Sequence, residues 1–409
     1  MTTVSATSAC PVLSAGEAVA VATELAGEFA LGAATRDRLR ELPFAQIDRL
    51  AASGLLAVTV PNAYGGADLP PSVVADLIRI LAAADPNIAQ IPHSHFVNVN
   101  LLRLAGSDEQ LRHYSQRLLR GARIANAQTE RSSPTVADIA TTVRPADDRF
   151  RIDGAKYYCT GSLFADTLAV LTRLDDPDRE SGLADGQYVV FLPADTPGVR
   201  IVDDWAAVGQ RTTGSGTVVF DEVLVDRSAL VPRAPAVSTP TGYGAFAQLL
   251  HAAIDVGIAR GALVAAVSFV REKSRPWFEA GVTRAIDDPL LIQRFGELAV
   301  VVQAAEAVLA SAGVKVDATV GADSDAADRA ADASLAVAGA KIVADKAANE
   351  LSSALFEVSG TRSVAAELNL DHFWRNARTH TLHDPIRWKY QHIGRALLHD
   401  SPPPLHSAI

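Results

Sequence analysis

The apolar period of this chain changes twice along its length, and that ordering limits the folds open to it more than any other feature. From about Gly16 to Arg120 apolar residues recur at helical spacing. Val73, Val74, Leu77, Ile80 and Leu81 fall on one face, and breaks stand at Leu42-Pro43, Pro61-Asn62, Tyr64-Gly65-Gly66 and Pro70-Pro71. From about Ile124 to Pro232 the period shortens and β-branched residues take over. The spacing predicts strands over Ala140–Val143, Phe150–Ile152, Leu168–Thr172, Tyr188–Leu192, Val199–Val202 and Thr217–Phe220. Asp147-Asp148, Asp153-Gly154, Pro193 and Gly214 separate them as turns. Short strands so punctuated point to a small β-barrel or sandwich. From about Tyr243 to Leu398 the period is helical again and the segments are long. Ile254, Ile258 and Gly261 share one face, and Leu351, Leu355 and Val358 another, while Gly321–Asp328 reads as a connection. Long Ala-rich helices with short joins are what a four-helix bundle needs.

Composition narrows the class without naming a reaction. A chain of 409 residues is too long for one comfortable core and suits two or three domains. Cys10 and Cys159 are the two cysteines, so a disulfide framework is not expected and a reducing, cytoplasmic setting fits. The opening MTTVSATSACPVLSAGEA lacks a basic start followed by an apolar run, and no apolar stretch of about eighteen residues runs uninterrupted, so no membrane partner is expected. A net charge of −10 argues against nucleic acid, which calls for a basic face.

Four segments carry chemistry: Asn126-Ala-Gln-Thr-Glu130, Lys156-Tyr-Tyr-Cys-Thr-Gly161, Asp204-Trp-Ala-Ala-Val-Gly-Gln-Arg-Thr-Thr-Gly-Ser215 and Phe373-Trp-Arg-Asn-Ala-Arg-Thr-His-Thr-Leu-His-Asp-Pro385. With Tyr64-Gly65-Gly66, the Gly209-x-Arg211 pattern and Arg375-Asn376-Ala377-Arg378, they resemble the acyl-CoA dehydrogenase superfamily along nearly the full chain. The run WRNARTHTLHDP, together with Arg275-Pro276-Trp277 and Asp203-Asp204-Trp205-Ala206-Ala207, is similar to a narrower branch: dibenzothiophene monooxygenase and the sulfur-acquisition oxidoreductases of dimethyl sulfone metabolism. The resemblance implies an α+β fold with an N-terminal α-helical domain over 1–122, a central β-barrel over 123–235 and a C-terminal four-helix bundle over 236–409, assembled as a homotetramer.

One stretch separates the two chemistries. A dehydrogenase of this superfamily needs a carboxylate base, and one common branch carries it as Glu, followed by Gly, shortly after the Arg-rich motif. Here the stretch reads Leu382-His383-Asp384-Pro385. Asp is one methylene shorter than Glu, which sets the carboxylate back by about 1 Å or more. Pro385 removes the backbone freedom Gly would give. Asp384 therefore reads as a hydrogen-bond partner, and the imidazoles of His380 and His383 stand nearby. Imidazole suits oxygen chemistry because it donates a hydrogen bond and moves protons near neutral pH.

The resemblance accordingly implies a two-component monooxygenase. Reduced FMN from a separate NAD(P)H-dependent flavin reductase reacts with O₂, and a flavin hydroperoxide passes one oxygen to sulfur, or nitrogen, of a small apolar substrate. By the same resemblance His95, Thr160 and His383 flank the peroxide, with His380 behind them. Asn126, Thr129, Thr160 and Trp205 hold the ring, Arg275 reaches the phosphate, and Arg362 does so from a neighbouring subunit. Tyr158 and Phe96, with the segment to Asn100, face the substrate. Arg375 and Arg378 read as structural ion pairs. No GxGxxG follows a strand, so NADH itself is not expected to bind. His380 and His383 stand three apart, but no nearby Cys, Glu or third His completes a metal site. An FAD-dependent acyl-CoA dehydrogenase and a non-catalytic flavin-binding protein are the alternatives.

Overall fold

The computed structural model describes residues 9–131, 135, 138–321, 324–406 and 408–409. The start of the N-terminal segment and two residues of the predicted 321–328 connection lie outside them. Seven helices come first: α1 Ala15–Ala30, α2 Ala33–Leu39, α3 Phe44–Ala52, α4 Pro71–Ala84, α5 Pro86–Gln90, α6 His93–Ala105 and α7 Asp108–Leu118. Local chemistry sets their ends. Ser14 with Glu17 and Ser107 with Gln110 form reciprocal capping boxes, Pro71 opens α4, and Asp85 caps α5 by accepting from the Asn87 N–H. Of the predicted α4 face, Val74, Leu77 and Leu81 are buried, and Val73 and Ile80 pack partly exposed against the same core.

The strands are β1 Ile124–Ala127, β2 Thr142–Ala146, β3 Arg149–Lys156, β4 Thr167–Leu174, β5 Gln187–Pro193, β6 Val199–Val202, β7 Thr217–Val225 and β8 Leu230–Pro232. Five of the six predicted strands lie within observed ones, and Ala140–Val143 shares only Thr142 and Val143 with β2; β1 and β8, at four and three residues, are additional. They form one sheet in the order β6-β7-β3-β2-β4-β5-β8, with β1 parallel to β4. Among the described residues β6 and β8 do not pair, so the expected barrel takes the form of an unclosed sheet. Its two faces follow from the period of two. Leu168, Val170, Val190 and Leu192 fill a core belonging to the strands, while Ala169, Leu171, Val189 and Phe191 join the helical core. That second face seats the sheet on the helices.

After the short α8 Ala234–Val237 come α9 Tyr243–Glu272, α10 Pro289–Asp317, α11 Ala326–Ser359, α12 His372–His380 and α13 Arg387–His399. α9 lies at the centre, packed by α10, α11 and, from the N-terminal part, α4. The approach of α4 is close: a Cβ on Gly261 would stand 2.4 Å from the Ala83 carbonyl oxygen, so only glycine fits there. The predicted faces Ile254, Ile258 and Gly261, and Leu351, Leu355 and Val358, are buried. α9 and α10 are each long and apolar enough to cross a membrane by length and composition. The apolar stretch of α9 is spent inside the bundle, whereas that of α10 is only 33% buried and leaves an open apolar face.

Candidate active site

Three helices bring four imidazoles together: His93 begins α6, His251 lies on α9, His380 ends α12, and His383 follows in the next turn. The His251 ring is held between two others, its centroid 3.9 Å from that of His93 and 3.9 Å from that of His383. His93 Nε2 lies 3.0 Å from the Ala247 carbonyl and donates to it, which fixes that ring. His251 Nδ1 is 3.1 Å from His380 Nε2, and His380 Nδ1 is 2.5 Å from Asp255 Oδ1. Lys341 on α11 donates to the other Asp255 oxygen at 2.8 Å. His251 and Asp255 are four apart on α9, hence on one face.

Burial keeps His93, His251 and His383 neutral near pH 7. Burial drives His93 down to about 3 and His251 well below its ordinary value, with the neighbouring imidazoles and Lys341 adding to it. Burial would raise the Asp255 carboxyl, but Lys341 and His380 hold it at about 2. Asp384 is buried too, yet Lys341 and Lys389, the latter 3.0 Å away, keep it below the ordinary carboxylate value. Asp255 and Asp384 are thus ionised, each paired to a lysine. Among the described residues no group of three or more His, Cys, Asp or Glu is placed to hold a metal ion.

The sheet carries a second polar cluster. Thr160 Oγ1 lies 2.7 Å from Ser215 Oγ, which lies 2.6 Å from Thr213 Oγ1, which donates to the Gln210 carbonyl at 2.9 Å. Trp205 Nε1 donates to the same carbonyl at 2.7 Å. The polarity of this chain is fixed from its end: the Thr213 proton goes to Gln210, the Ser215 proton to Thr213, and the Thr160 proton to Ser215. Thr160 therefore offers a lone pair outward. Asn126 Oδ1, on β1, is buried without a partner, as are both amide atoms of Gln210. Tyr158 is held at φ +56° with its ring edge-on to Trp205. Below them Lys156 and Glu130 form a fully enclosed ion pair at 2.6 Å, tying the exit of β1 to the end of β3.

Sheet and bundle meet at Gly209 and α12. A Cβ on Gly209 would stand 2.0 Å from the Arg375 carbonyl oxygen, and the Gln210 N–H donates to Asn376 Oδ1 at 2.6 Å. This is why the Gly209-x-Arg211 and Arg375-Asn376-Ala377-Arg378 patterns occur in one chain: glycine lets the loop backbone rest on the helix that carries His380. Arg375 itself is spent on Asp37 and Asp371, as its structural reading required.

Of the predicted residues, Asn126, Thr129, Thr160 and Trp205 gather on the sheet side, and His380 and His383 on the bundle side. His380 makes no direct approach to the cavity: its side chain is fully buried between Asp255 and His251. His95 is a correction. Nε2 donates to the Leu56 carbonyl at 2.7 Å and Nδ1 accepts the Ile124 N–H at 3.1 Å, so neither ring nitrogen is left for another partner. It staples α6 to the start of β1. Phe96 is likewise core, edge-on to His95, while Val99 and Asn100 line a cavity of about 520 Å³ with Arg103, Leu104 and Phe246. Arg275 and Arg362 sit at the far end of the bundle, where Arg362 donates to the Lys273 carbonyl at 2.9 Å. The span of α9 from His251 to Glu272 separates them from the imidazoles by about 30 Å. His93, His251, Asp255 and Lys341 went unread in the sequence. The signal was there: His251 and Asp255 interrupt the most apolar helix at i and i+4, and Lys341 interrupts an Ala-rich one.

Three domain models of the acyl-CoA dehydrogenases match the chain: the N-terminal domain over 18–122, the middle domain over 125–223 and the C-terminal domain over 249–388. The chain is 35% identical over 399 residues to dibenzothiophene monooxygenase from Rhodococcus qingshengii, covering 94% of each. It is 30% identical over 390 residues to the probable FMNH2-dependent monooxygenase SfnC of Pseudomonas putida, covering 94% of this chain and 96% of that one. The crystal structure of FMN-bound TdsC from Paenibacillus sp. A11-2 superposes with a TM-score of 0.90 at 32% identity, covering 96% of this chain and all of that one.

Proposed function

The chain belongs to the acyl-CoA dehydrogenase family, in the branch of dibenzothiophene monooxygenase, and from that premise we propose that it is an FMNH2-dependent monooxygenase. It transfers one atom of O₂ to a heteroatom, sulfur before nitrogen, of a small apolar compound. One observation carries the reading. Where a dehydrogenase needs a free carboxylate to abstract a proton, Asp255 and Asp384 are both paired to lysine, and four imidazoles face one another instead.

The residues fit a flavin ring. The orphaned Asn126 Oδ1 is costly to bury without a donor, and a ring N–H supplies one. Thr160, its own proton committed to Ser215, accepts a second ring N–H. Thr129 and Trp205 flank the same edge, and the Lys156–Glu130 pair holds them in register. When bound, reduced FMN supplies the two electrons that activate O₂. His383, half open to solvent, donates toward the reacting oxygen, and the buried His93 and His251 rings behind it add no charge. The cavity at Val99 and Asn100 begins on the two helices that carry His93 and His251, about two turns away, and takes the substrate.

Arg275 and Arg362 are too distant to serve their own ring site, so in this reading they hold the FMN phosphate of a second copy in a homotetramer. The open apolar face of α10, with Leu290, Ile292, Val300 and Val314 exposed, gives copies a surface to share. An NAD(P)H-dependent reductase in the same cytoplasm supplies FMNH₂, and the domain limits are 1–122, 123–235 and 236–409. Equilibrium dialysis tests the cofactor: FMN is expected to bind reversibly and more tightly than FAD. Tight FAD that is bleached anaerobically by an acyl-CoA would overturn the reading in favour of a dehydrogenase.

A further inference from the structure

Asp255 and Lys341 are both fully buried, and stability does not account for them, because a buried ion pair is commonly replaced by apolar residues without loss. What the pair does fix is direction. Lys341 occupies Asp255 Oδ2, so Oδ1 accepts from His380 Nδ1–H. In the tautomer that spends Nδ1–H on Asp255, His380 Nε2 offers a lone pair. His251 Nδ1, 3.1 Å away, must then carry the proton, which leaves His251 Nε2 unprotonated. His93 stacks on this ring and the tilted His383 ring lies as near, 3.9 Å between centroids in each case, which restricts its turning.

We propose that Asp255, His380 and His251 form a proton relay, with Lys341 as its fixed counter-charge and His251 Nε2 as its outer atom. The proposal rests on the monooxygenase reading. In that reaction reduced FMN, O₂ and a sulfide give FMN, a sulfoxide and water. That balance carries two protons from the flavin to one oxygen, and a neighbouring imidazole would give one of them a place to rest on the way. A proton arriving at His251 Nε2 forms an N–H bond there, and the Nδ1–H bond breaks as that proton passes to His380 Nε2. The charge rests on His380 against the Asp255 carboxylate, and the reverse shift returns it. No electrons move. The outer atom thereby alternates between acceptor and donor. Other ionisable groups facing the relay are His93 from α6, Lys341 and Asp345 from α11, His383 and Asp384 from the turn after α12, and Lys389 from α13.

Two measurements decide it. Neutron diffraction from the deuterated, cofactor-free protein near pH 7 is expected to show deuterons on His380 Nδ1 and His251 Nδ1 and none on His251 Nε2. A deuteron on His251 Nε2 would overturn the resting polarity. Kinetically, Asp255→Asn with Lys341→Met keeps both shapes while removing both charges. Sulfide oxidation per FMNH₂ is expected to fall about 100-fold with its pH profile displaced, while FMN affinity stays within about two-fold. His251→Gln should do the same, and it serves if the double variant fails to fold. Wild-type oxidation retained within two-fold in either variant would sink the relay. A wild type that oxidises no heteroatom yet gives the expected neutron map would sink the monooxygenase reading and leave the relay geometry standing.

Discussion

Lys156→Met tests the packing beneath the flavin wall. Lys156 is fully buried and Glu130 is 3% exposed, so the substitution strands a carboxylate that water cannot reach. Removing one partner of such a pair costs about 3–5 kcal/mol. The lower end applies, because Glu130 keeps the Ala140 N–H at 2.8 Å, the Thr141 N–H at 2.9 Å and the Thr141 hydroxyl at 2.7 Å. Linkage gives a similar figure. Burial would raise this carboxyl, yet Lys156 and the Thr141 and Ala140 donors hold it at about 2. Against an unfolded value of about 4.3, that depression is worth about 3 kcal/mol for Lys156 and the donors together, present above pH ~5 and lost as pH falls toward 2. Urea unfolding at one fixed chain concentration, followed by tryptophan fluorescence, is the assay. We expect a loss of about 3 kcal/mol at pH 7 that shrinks toward pH 3, and recovery of more than half of it when Glu130→Gln is added. A loss below about 1 kcal/mol, or one indifferent to pH, would refute the reasoning.

His95→Leu leaves the Leu56 carbonyl and the Ile124 N–H buried and unpaired, so urea unfolding should show a loss of about 2–4 kcal/mol while product formed per O₂ by the folded enzyme is unchanged. His383→Ala should keep FMN affinity but divert oxygen to hydrogen peroxide; an oxygen electrode with product quantification reads the ratio, and an unchanged yield removes His383 from the chemistry. Gly209→Ala places a methyl 2.0 Å from the Arg375 carbonyl oxygen and must part the loop from α12. Dialysis should then show FMN affinity down by about ten-fold or more, the usual consequence of misplacing a site by about 1 Å.

The sequence carried the three-part architecture because each change of period is a change of burial geometry. Val199–Val202 was legible to the residue because Gly198 and the Asp203-Asp204 pair punctuate it. β1 was not: four residues paired in parallel to β4 have no room for an alternation, yet this strand presents Asn126. His380 and His383 were legible within one motif. His93 and His95 were not separable, since two positions on a helix turn the side chain by about 200°, and nothing local says which direction is inward. His93 went to the imidazoles and His95 to the backbone. Arg275 and Arg362, which the resemblance placed at the phosphate, lie about a helix length from the imidazoles in one chain, a distance that no local pattern in the sequence encodes.

Incubating the protein with FMNH₂, ¹⁸O₂ and an aryl sulfide, then weighing the oxidised sulfur product, tests the central claim most directly. The monooxygenase reading predicts one ¹⁸O atom from gas in each new S–O bond. Product oxygen drawn from water, or all reducing equivalents recovered as hydrogen peroxide with no sulfur oxidised, would contradict it.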